Sequence, residues 1–388
     1  MSLGALPTTA PAALEGWQAH VRPSRVLFGG GRLVEIGGLV SELGASRVLV
    51  VTDPGIVAAG HVARAVRSIE AAGLAVDIFD GVGENPTSIH VEAGTRYASA
   101  YDADFLVGLG GGSAMDCAKG VNFLLTNGGV MADYAGFGKA SKPMLDSVGV
   151  PCTAGTGSEA QSFALITDPE SHVKMACGDS KARFTAVVLD PHVLRTAPAE
   201  VSAVAGYDAL SHAVESYVTR SGNPLSRLLA HEGWRLMDSA FPEILSGDAH
   251  DSVWADMLWG AHLAGSAIEL SMLGAAHACA NPLTAMFDVV HGRAIGLVLP
   301  TVVRLNATVC DCQYGDLLGV DGVGAEKLAR RLEELRQLGG LPTRLNEVGV
   351  AATDVPELAR QAMEQWTLRH NPLDLDVTEV ETLYRSAL

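Results

Sequence analysis

Four side chains in the second half of the sequence could bind one metal ion. Asp208 and His212 are spaced i, i+4 in a segment with helical character, so they share a helix face and can reach the same ion. His277 and His291 follow, fourteen residues apart; in one straight helix they would be separated by about 21 Å, too far for a single ion. Pro282 stands between them and offers a break at which the chain can fold back.

One carboxylate and three imidazoles suit Fe²⁺ or Zn²⁺ and leave coordination positions for water or substrate. The spacing alone leaves another interpretation open, because a histidine on an apolar helix is more often a core or surface residue than a ligand. Glu215, one turn beyond His212, is either a charge on the helix surface or a group that orients a ligand.

A glycine-rich turn follows a β-rich run that begins at Phe105. Gly110, Gly111 and Gly112 let the backbone approach a ligand closely. We expect Ser113 to cap the following helix and to leave N–H groups directed at an anion, for which a pyrophosphate is the natural occupant. The string lacks the last glycine of GxGxxG, and a tight turn that binds nothing is the alternative.

A second loop of small, hydroxyl-bearing residues follows a later β-rich run. Thr153, Thr156 and Ser158 could bind phosphate or ribose, or they could form an ordinary turn before a capped helix. Two such loops in one parallel sheet support each other as predictions, because ligands bind at the carboxyl ends of its strands.

Asp53 ends the β-rich run that begins at Arg47. A carboxylate at a strand end can accept hydrogen bonds from ribose hydroxyls and repel a 2′-phosphate. A turn-forming aspartate before Pro54 is the alternative.

The elements that must position these residues divide the chain in two. Between residues 25 and 190, β-rich runs alternate with helical stretches such as 56–72, which predicts a parallel sheet with helices on both faces. The runs lie at 47–53, 74–79, 104–109, 147–150 and 186–189. Beyond Pro198, helical periodicity dominates, as at 225–239 and 325–338. We therefore expect an α/β domain over residues 1–195 and an all-helical domain over residues 196–388.

Composition excludes several classes of function. The chain has 388 residues, of which 48% are apolar, enough for a sizeable core. The net charge of −17 argues against nucleic acid and anionic membranes as partners. Six cysteines are too few for a disulfide scaffold. No segment has about 18 uninterrupted apolar residues, and residues 1–20 lack a secretory pattern, so we expect a soluble cytoplasmic protein.

In their order along the chain, these motifs resemble the iron-containing (group III) alcohol dehydrogenases over roughly residues 25–388. The segments that carry the resemblance are 84–87, 110–116 with Lys119, 153–159, 190–191, 206–212 with Glu215, and 277–299. The resemblance implies an N-terminal dinucleotide-binding α/β domain and a C-terminal all-helical domain, an architecture like that of the dehydroquinate synthases. The active site is then expected in the cleft between the two.

The same resemblance implies roles for individual residues. The implied metal ligands are Asp208, His212, His277 and His291. The implied cofactor contacts are Gly111, Gly112 and Ser113 at the pyrophosphate, Thr153 and Thr156 near the nicotinamide, Asn85 and Lys174, with Asp53 favouring NAD over NADP. Further expectations are Fe²⁺ with Zn²⁺ as the alternative, a small alcohol or aldehyde as substrate, and a homodimer or higher homo-oligomer.

The function implied is that of a metal-dependent, NAD(H)-linked alcohol dehydrogenase or aldehyde reductase. In such an enzyme the metal polarises the alcohol or carbonyl oxygen while hydride passes to or from nicotinamide C4. Two alternatives stay open at this point. One is a specialised reductase or hydroxyacid–oxoacid transhydrogenase of the same superfamily; the other is a non-redox lyase of the same fold, for which residues 200–300 offer few basic side chains.

Three positions depart from the family pattern. Asn281 stands where many relatives have a histidine that is thought to help relay the proton, and a carboxamide is no general base at neutral pH. Phe184 stands where a proline is usual, and Ala205 stands where glycine or a small hydroxylated residue is usual. The apolar side chains that we consider as lining of the substrate site are Phe163, Met272 and Phe287.

Overall fold

The computed structural model describes residues 24–170 and 173–388. The first 23 residues, on which the expectation about a secretory segment rests, lie outside the described residues. The strands are β1 (Arg25–Phe28), β2 (Arg47–Val51), β3 (Ala75–Phe79), β4 (Phe105–Gly110), β5 (Gly136–Phe137), β6 (Ser147–Pro151), β7 (Phe163–Thr167), β8 (Lys174–Gly178) and β9 (Ala186–Leu189).

Six of these strands form one parallel sheet in the order β1-β9-β6-β4-β2-β3. The helices of this half are α1 (Ile36–Glu42), α2 (Pro54–Ala58), α3 (His61–Ala71), α4 (Ser88–Tyr101), α5 (Gly112–Asn127) and α6 (Pro191–Leu194). The central strands are runs of buried valine and leucine, as expected for a parallel sheet covered by helices. Because β4 and β6 are neighbours, the two loops that follow them emerge side by side.

The helix predicted over residues 56–72 is in fact two helices. The chain breaks between α2 and α3 at Gly60, whose φ of +81° lies in the left-handed region that glycine adopts without strain. Asp53 accepts a hydrogen bond from the backbone N–H of Ile56 and thereby caps α2. The apolar periodicity continues through the break, which is why the sequence alone did not reveal it.

A small second sheet has the order β5-β8-β7 and was not predicted. The strands β7 and β8 are antiparallel, and they bring Phe163, Leu165 and Lys174 to the cleft described below. The pairing is short and half-exposed, so its sequence carries little alternation that could have indicated it.

The second half is helical, and the structure has no strand beyond Leu189 in the residues that it describes. Its helices are α7 (Ala199–Val218), α8 (Pro224–Ser246), α9 (Asp251–Leu270), α10 (Ala275–Phe287), α11 (His291–Leu317), α12 (Ala325–Leu338), α13 (Val355–Met363) and α14 (Val377–Ser386). The predicted fold class, a parallel α/β half followed by an all-helical half, is therefore confirmed. The boundary at residue 195 stays a prediction; it falls between α6 and α7.

The chain does fold back between His277 and His291, but not at Pro282. Pro282 lies inside α10, which continues to Phe287. The turn occurs at Asp288, whose φ of +53° is left-handed, and α11 begins at His291. The two histidines therefore lie near the starts of two separate helices, a geometry that a proline in mid-segment did not indicate.

Among the described helices, α11 is long and apolar enough to cross a membrane by length and composition alone. The pair α9 and α10 passes the same test together, although the two helices are bent by 102°. More than half of the most apolar stretch of α11 is buried inside the protein, and residues such as Ile295, Val298 and Leu299 are fully buried. Core helices of this kind satisfy the same criteria as membrane spans.

Candidate active site

One face of α7 carries the first half of a carboxylate–imidazole cluster. Asp208, His212 and Glu215 follow each other at intervals of about one turn, so that all three project to the same side. Each is buried, with a relative exposure of 4–5%. Unpaired charges are rarely buried in this way, so the three side chains must be satisfied by one another or by a ligand.

The other two histidines complete the cluster from α10 and α11. The Oδ1 atom of Asp208 lies 3.5 Å from Nε2 of His212, 3.6 Å from Nε2 of His277 and 3.8 Å from Nε2 of His291. Donor atoms of Asp208, His277 and His291 lie within 4.8 Å of one another. His212 is outside that tightest group, although its ring centroid is 5.0 Å from that of His277. The structure thus brings all four predicted ligands together.

Glu215 holds His277 in place. Its Oε2 lies 2.6 Å from Nδ1 of His277, and its Oε1 accepts a hydrogen bond of 2.7 Å from the backbone N–H of Ala276. The carboxylate therefore fixes both the start of α10 and the imidazole ring that this helix carries. Because Nδ1 is held by Glu215, Nε2 on the other side of the ring is directed at Asp208 and the centre of the cluster. Glu215 is an orienting group and not a surface charge.

The cluster perturbs the protonation of its members. Burial opposes the charge of Asp208, but His212 and the other imidazoles outweigh it and hold the pKa of this carboxyl far below its usual range. Burial would lower the pKa of His277, yet the carboxylates of Asp208 and Glu215 raise it to about 9. Burial lowers the pKa of His291 to about 3 and also lowers that of His212. Strong perturbations of this kind concentrate at functional sites.

The facing wall of the cleft is built from the glycine-rich turn after β4. The helix α5 begins at Gly112, and no side chain caps it. The prediction that Ser113 caps this helix is therefore wrong, because Ser113 lies inside the first turn. The free N–H groups of that turn are of the kind that can bind an anion. A Cβ atom on Gly112 would lie 2.7 Å from Oγ1 of Thr156, so only glycine allows this close approach.

A buried lysine fixes the second loop beside the first. Lys119, on α5, donates hydrogen bonds of 2.7–2.8 Å to Ser158 and to the carbonyl oxygen of Phe163. Ser158 in turn donates to Asp116 at 2.5 Å. Burial lowers the pKa of Lys119 and raises that of Asp116. Ser158 therefore serves to anchor the loop, and its neighbours Thr153 and Thr156 line the cleft.

The remaining predicted cofactor contacts occupy different positions. Asn85 and Lys174 line the cleft, where the Lys174 ammonium donates to Oδ1 of Asn85 at 3.4 Å. Asp53 does not line it. Its Oδ1 caps α2, and its Oδ2 lies 3.3 Å from the Cβ position of Gly110, beside the glycine-rich turn. The capping role of Asp53 is therefore observed, whereas its role toward a ribose stays a prediction.

The cleft between the two walls has a volume of about 560 Å³. Sequence reasoning missed several of its lining residues, which come from scattered positions without a local motif. These residues are Leu165, Val201, Ile268, Leu273, Val290, Trp366 and Thr367. Of the three apolar side chains considered for the substrate site, Phe163 lines the cleft, whereas Met272 and Phe287 do not.

The positions that depart from the family pattern have structural roles. Asn281 lines the cleft one turn beyond His277, and Ala205 lines it from α7. Phe184 is buried and fills the space that two glycines leave open, since a Cβ on Gly149 would lie 2.7 Å from its ring and one on Gly108 3.2 Å from it. None of the three displaces a member of the cluster.

The α/β half and the helical half share one cleft. One wall of the cleft carries a glycine-rich turn, and the other carries a carboxylate–imidazole cluster. This combination is typical of a metal-dependent, dinucleotide-linked dehydrogenase. The family model for iron-containing alcohol dehydrogenase matches residues 23–191, and the C-terminal model of the Fe-containing alcohol dehydrogenase family matches residues 202–388. The chain therefore belongs to the iron-containing alcohol dehydrogenase family and is an oxidoreductase acting on alcohols.

Individual relatives agree with this assignment. The chain is 33% identical to alcohol dehydrogenase 4 of Schizosaccharomyces pombe over 94% of its own length and 88% of that protein. It is 30% identical to the NAD-dependent methanol dehydrogenase of Bacillus methanolicus, over 94% and 98% of the two chains. The crystal structure of a 1,3-propanediol oxidoreductase superposes with a TM-score of 0.90 at 30% identity, covering 94% and 98%. The lyase and transhydrogenase alternatives are not favoured.

Proposed function

We propose that the protein catalyses the reversible oxidation of a small alcohol by NAD⁺. One alcohol and one NAD⁺ give one carbonyl compound, one NADH and one proton. The observation that carries this proposal is the pairing, across a single cleft, of a buried carboxylate–imidazole cluster with an uncapped helix N-terminus. The NAD-dependent methanol dehydrogenase among the relatives supports the choice of dinucleotide.

The cluster fits one divalent ion, for which Asp208, His212, His277 and His291 are the proposed ligands. Oδ1 of Asp208 and Nε2 of His277 are buried and have no hydrogen-bond partner among the described residues, so both atoms are available to an ion, which would displace any proton on Nε2. Iron suits the family, and zinc accepts the same donors. When bound, the ion supplies a Lewis acid for the substrate oxygen and the nicotinamide supplies the hydride acceptor.

The opposite wall fits a dinucleotide. We assign the pyrophosphate to Gly111, Gly112 and Ser113, because the first turn of α5 offers free N–H groups and no side chain to compete for them. Thr153, Thr156, Asn85 and Lys174 are the proposed contacts to the rest of the cofactor, since all four line the same cleft. Asp53, beside Gly110, is proposed to favour NAD over NADP by repelling a 2′-phosphate.

The side chains of this chain also order the site before any ligand binds. Glu215 holds the His277 ring so that Nε2 faces the cluster, and Lys119 holds the loop that carries Thr156. Apolar residues such as Leu273 and Trp366 line the cleft and would reduce the access of water to the reacting carbon when substrate is bound. Such preorganisation is what positions a donor carbon against a nicotinamide ring.

The test is NADH formation, followed at 340 nm, with a panel of small alcohols and diols. Protein stripped of metal by a chelator is compared with the same protein reloaded anaerobically with Fe²⁺ or Zn²⁺. We expect no turnover without metal and restored turnover with one of the two ions. Equal turnover before and after stripping would contradict the proposed role of the cluster.

We further propose a cytoplasmic homodimer or higher homo-oligomer with a domain boundary near residue 195. The six described cysteines are unpaired, and five of them are buried, which suits a reducing compartment. Burial raises the pKa of the thiols of Cys117 and Cys279 to about 12, so both act as packing residues and not as nucleophiles. Sedimentation velocity of the purified protein would test the oligomeric state.

A further inference from the structure

The helical half of the chain lines the cleft with apolar side chains such as Ile268, Leu273 and Trp366, and it also contributes two neutral polar side chains. These are Asn281 and Thr367. We propose that Asn281 and Thr367 form a subsite for a second, uncharged hydroxyl group of the alcohol substrate. This inference rests on the proposed function and refines it to a substrate class, the small diols and the corresponding hydroxycarbonyl compounds.

The orientation of the Asn281 amide follows from its neighbours. Nε2 of Gln365 donates to the backbone carbonyl of Gln361 at 3.4 Å, and a carbonyl can only accept. Oε1 of Gln365 is therefore the atom that faces Asn281, at 3.0 Å, and Asn281 must present its Nδ2 to it. The carbonyl oxygen of the Asn281 amide is left over, and none of the described residues donates a hydrogen bond to it. This oxygen is an acceptor available to a ligand.

Thr367 provides an independent indication of a ligand. Its residue is only 3% exposed, it lines the cleft, and its Oγ1 has no hydrogen-bond partner among the described residues. A buried hydroxyl without a partner is costly, so such groups are as a rule paired in the functional state. Thr367 follows Gln365 by two residues, so the same short segment that orients Asn281 also brings this hydroxyl to the cleft.

The position of the subsite matches a second hydroxyl close to the first. Asn281 follows His277 by four residues on α10, so the two side chains lie on one face with Cβ atoms about 5–6 Å apart. A substrate oxygen placed at the cluster therefore leaves the adjacent carbons beside Asn281. A hydroxyl on one of them can donate to the Asn281 carbonyl oxygen and bond with Thr367.

The charges of the cleft favour a neutral group over a carboxylate at this subsite. Lys174 is the one lysine or arginine among the described lining residues, and it already pairs with Asn85 on the facing wall. The lining carboxylates are Glu84, Asp116, Glu200 and Asp208. At the subsite, a carboxylate would be repelled by the acceptor oxygen of Asn281, whereas a hydroxyl can donate to that oxygen and bond with the Thr367 hydroxyl.

The experiment compares 1,2-propanediol with 1-propanol on metal-loaded protein. The readout is the diol-to-propanol ratio of kcat/KM, together with the diol-to-propanol ratio of association constants from calorimetry in the presence of NAD⁺. We expect the wild type to favour the diol. Asn281→Leu and Thr367→Val should each lower both ratios about fivefold, the value of one ordinary hydrogen bond. Circular dichroism and the unfolding temperature report whether each variant is folded.

Two further variants separate orientation from general structure. Gln365→Leu removes the acceptor that orients Asn281 and should lower the ratios, whereas Gln365→Glu keeps an acceptor at that place and should retain them. Thr284→Val is the matched control for Thr367→Val, because Thr284 also has a buried, unpaired Oγ1 but does not line the cleft. Its ratios should equal those of the wild type.

The outcomes distinguish this inference from the proposed function. Unchanged ratios in folded Asn281→Leu and Thr367→Val would overturn the subsite even if alcohols are oxidised. A wild type that binds 1-propanol as well as the diol, or that prefers lactate to both, would overturn it as well. If no alcohol is turned over with any metal, the proposed function fails, and the calorimetric ratios still decide whether the subsite exists.

Discussion

The two walls of the cleft are built in different ways. The α/β wall presents backbone: the N–H groups of the first turn of α5, held close to Thr156 by the absence of a side chain at Gly112. The helical wall presents side chains, which three helices carry to one point around Asp208. The first wall should therefore be damaged by adding atoms, and the second by removing them.

The largest effect is expected from Asp208→Ala. This change removes the one carboxylate whose Oδ1 lies within 3.8 Å of all three imidazoles. The affinity for Fe²⁺ or Zn²⁺, measured by chelator competition, should fall by more than about 100-fold, beyond the loss from an orienting partner. The NAD affinity, measured by calorimetry, should stay within about twofold if the walls act separately. An equal loss of metal affinity and NAD affinity would mean that the two walls do not act separately, which contradicts this account.

Glu215→Gln should have the next largest effect. The amide can still accept from Ala276, but its NH₂ group then faces Nδ1 of His277 and moves the ring proton to Nε2. The metal affinity should fall about 10–100-fold while the fold is retained. In a His277→Ala background, the same change should have no further effect on metal affinity.

The matched control for Glu215→Gln is Glu159→Gln. Glu159 also forms a buried pair with a histidine, at 3.1 Å from Nδ1 of His262, but outside the cluster. Its metal affinity should equal that of the wild type. An equal loss in the two variants would mean that buried carboxylates act through general stability and not through His277.

Gly112→Ala tests the backbone wall. The added Cβ would lie 2.7 Å from Oγ1 of Thr156, so the loop must shift. Strain of this size costs about 1–3 kcal/mol, and the NAD affinity should fall about tenfold or more without a change in metal affinity. Gly111→Ala should cost less, because its Cβ would meet Thr153 at 3.6 Å, an ordinary contact. A larger loss in Gly111→Ala would contradict this account.

Asp53→Asn should give the smallest effect. Asparagine can still cap α2 through its carbonyl oxygen, so the unfolding temperature should not change. The lost charge removes a repulsion of about 1 kcal/mol toward a 2′-phosphate, so the ratio of NAD to NADP efficiencies should fall about fivefold. An unchanged ratio would leave Asp53 with its capping role alone.

The same contrast explains how much could be predicted from the sequence. The α/β wall is local: glycines and threonines directly follow the strands that position them, so the loops at 110–113 and 153–156 were found from short motifs. The four cluster residues were found because Asp208 and His212 share a helix and because the resemblance covers the others. The buried role of Glu215 was left open, since spacing does not tell a helix surface from a core.

The rest depends on contacts between distant segments. The segment that contains Gln365 and Thr367 reaches Asn281 only through the packing of α13 against α10, across 84 residues in the case of Gln365. No periodicity marks such a contact. The sequence predicted the turn at Pro282, whereas it occurs at Asp288, for a related reason. A proline inside a helix is tolerated where tertiary packing compensates for its missing hydrogen bond, and the sequence does not show such packing.

The most direct test of the central claim is anomalous diffraction, at the iron and zinc edges, from crystals grown with metal and NAD⁺. The account predicts one anomalous peak within about 2.0–2.2 Å of Asp208 and of the three histidines, with the dinucleotide pyrophosphate at the first turn of α5. A peak elsewhere, a peak that lacks one of the four ligands, or a pyrophosphate away from Gly112 would contradict the division of the site between its two walls.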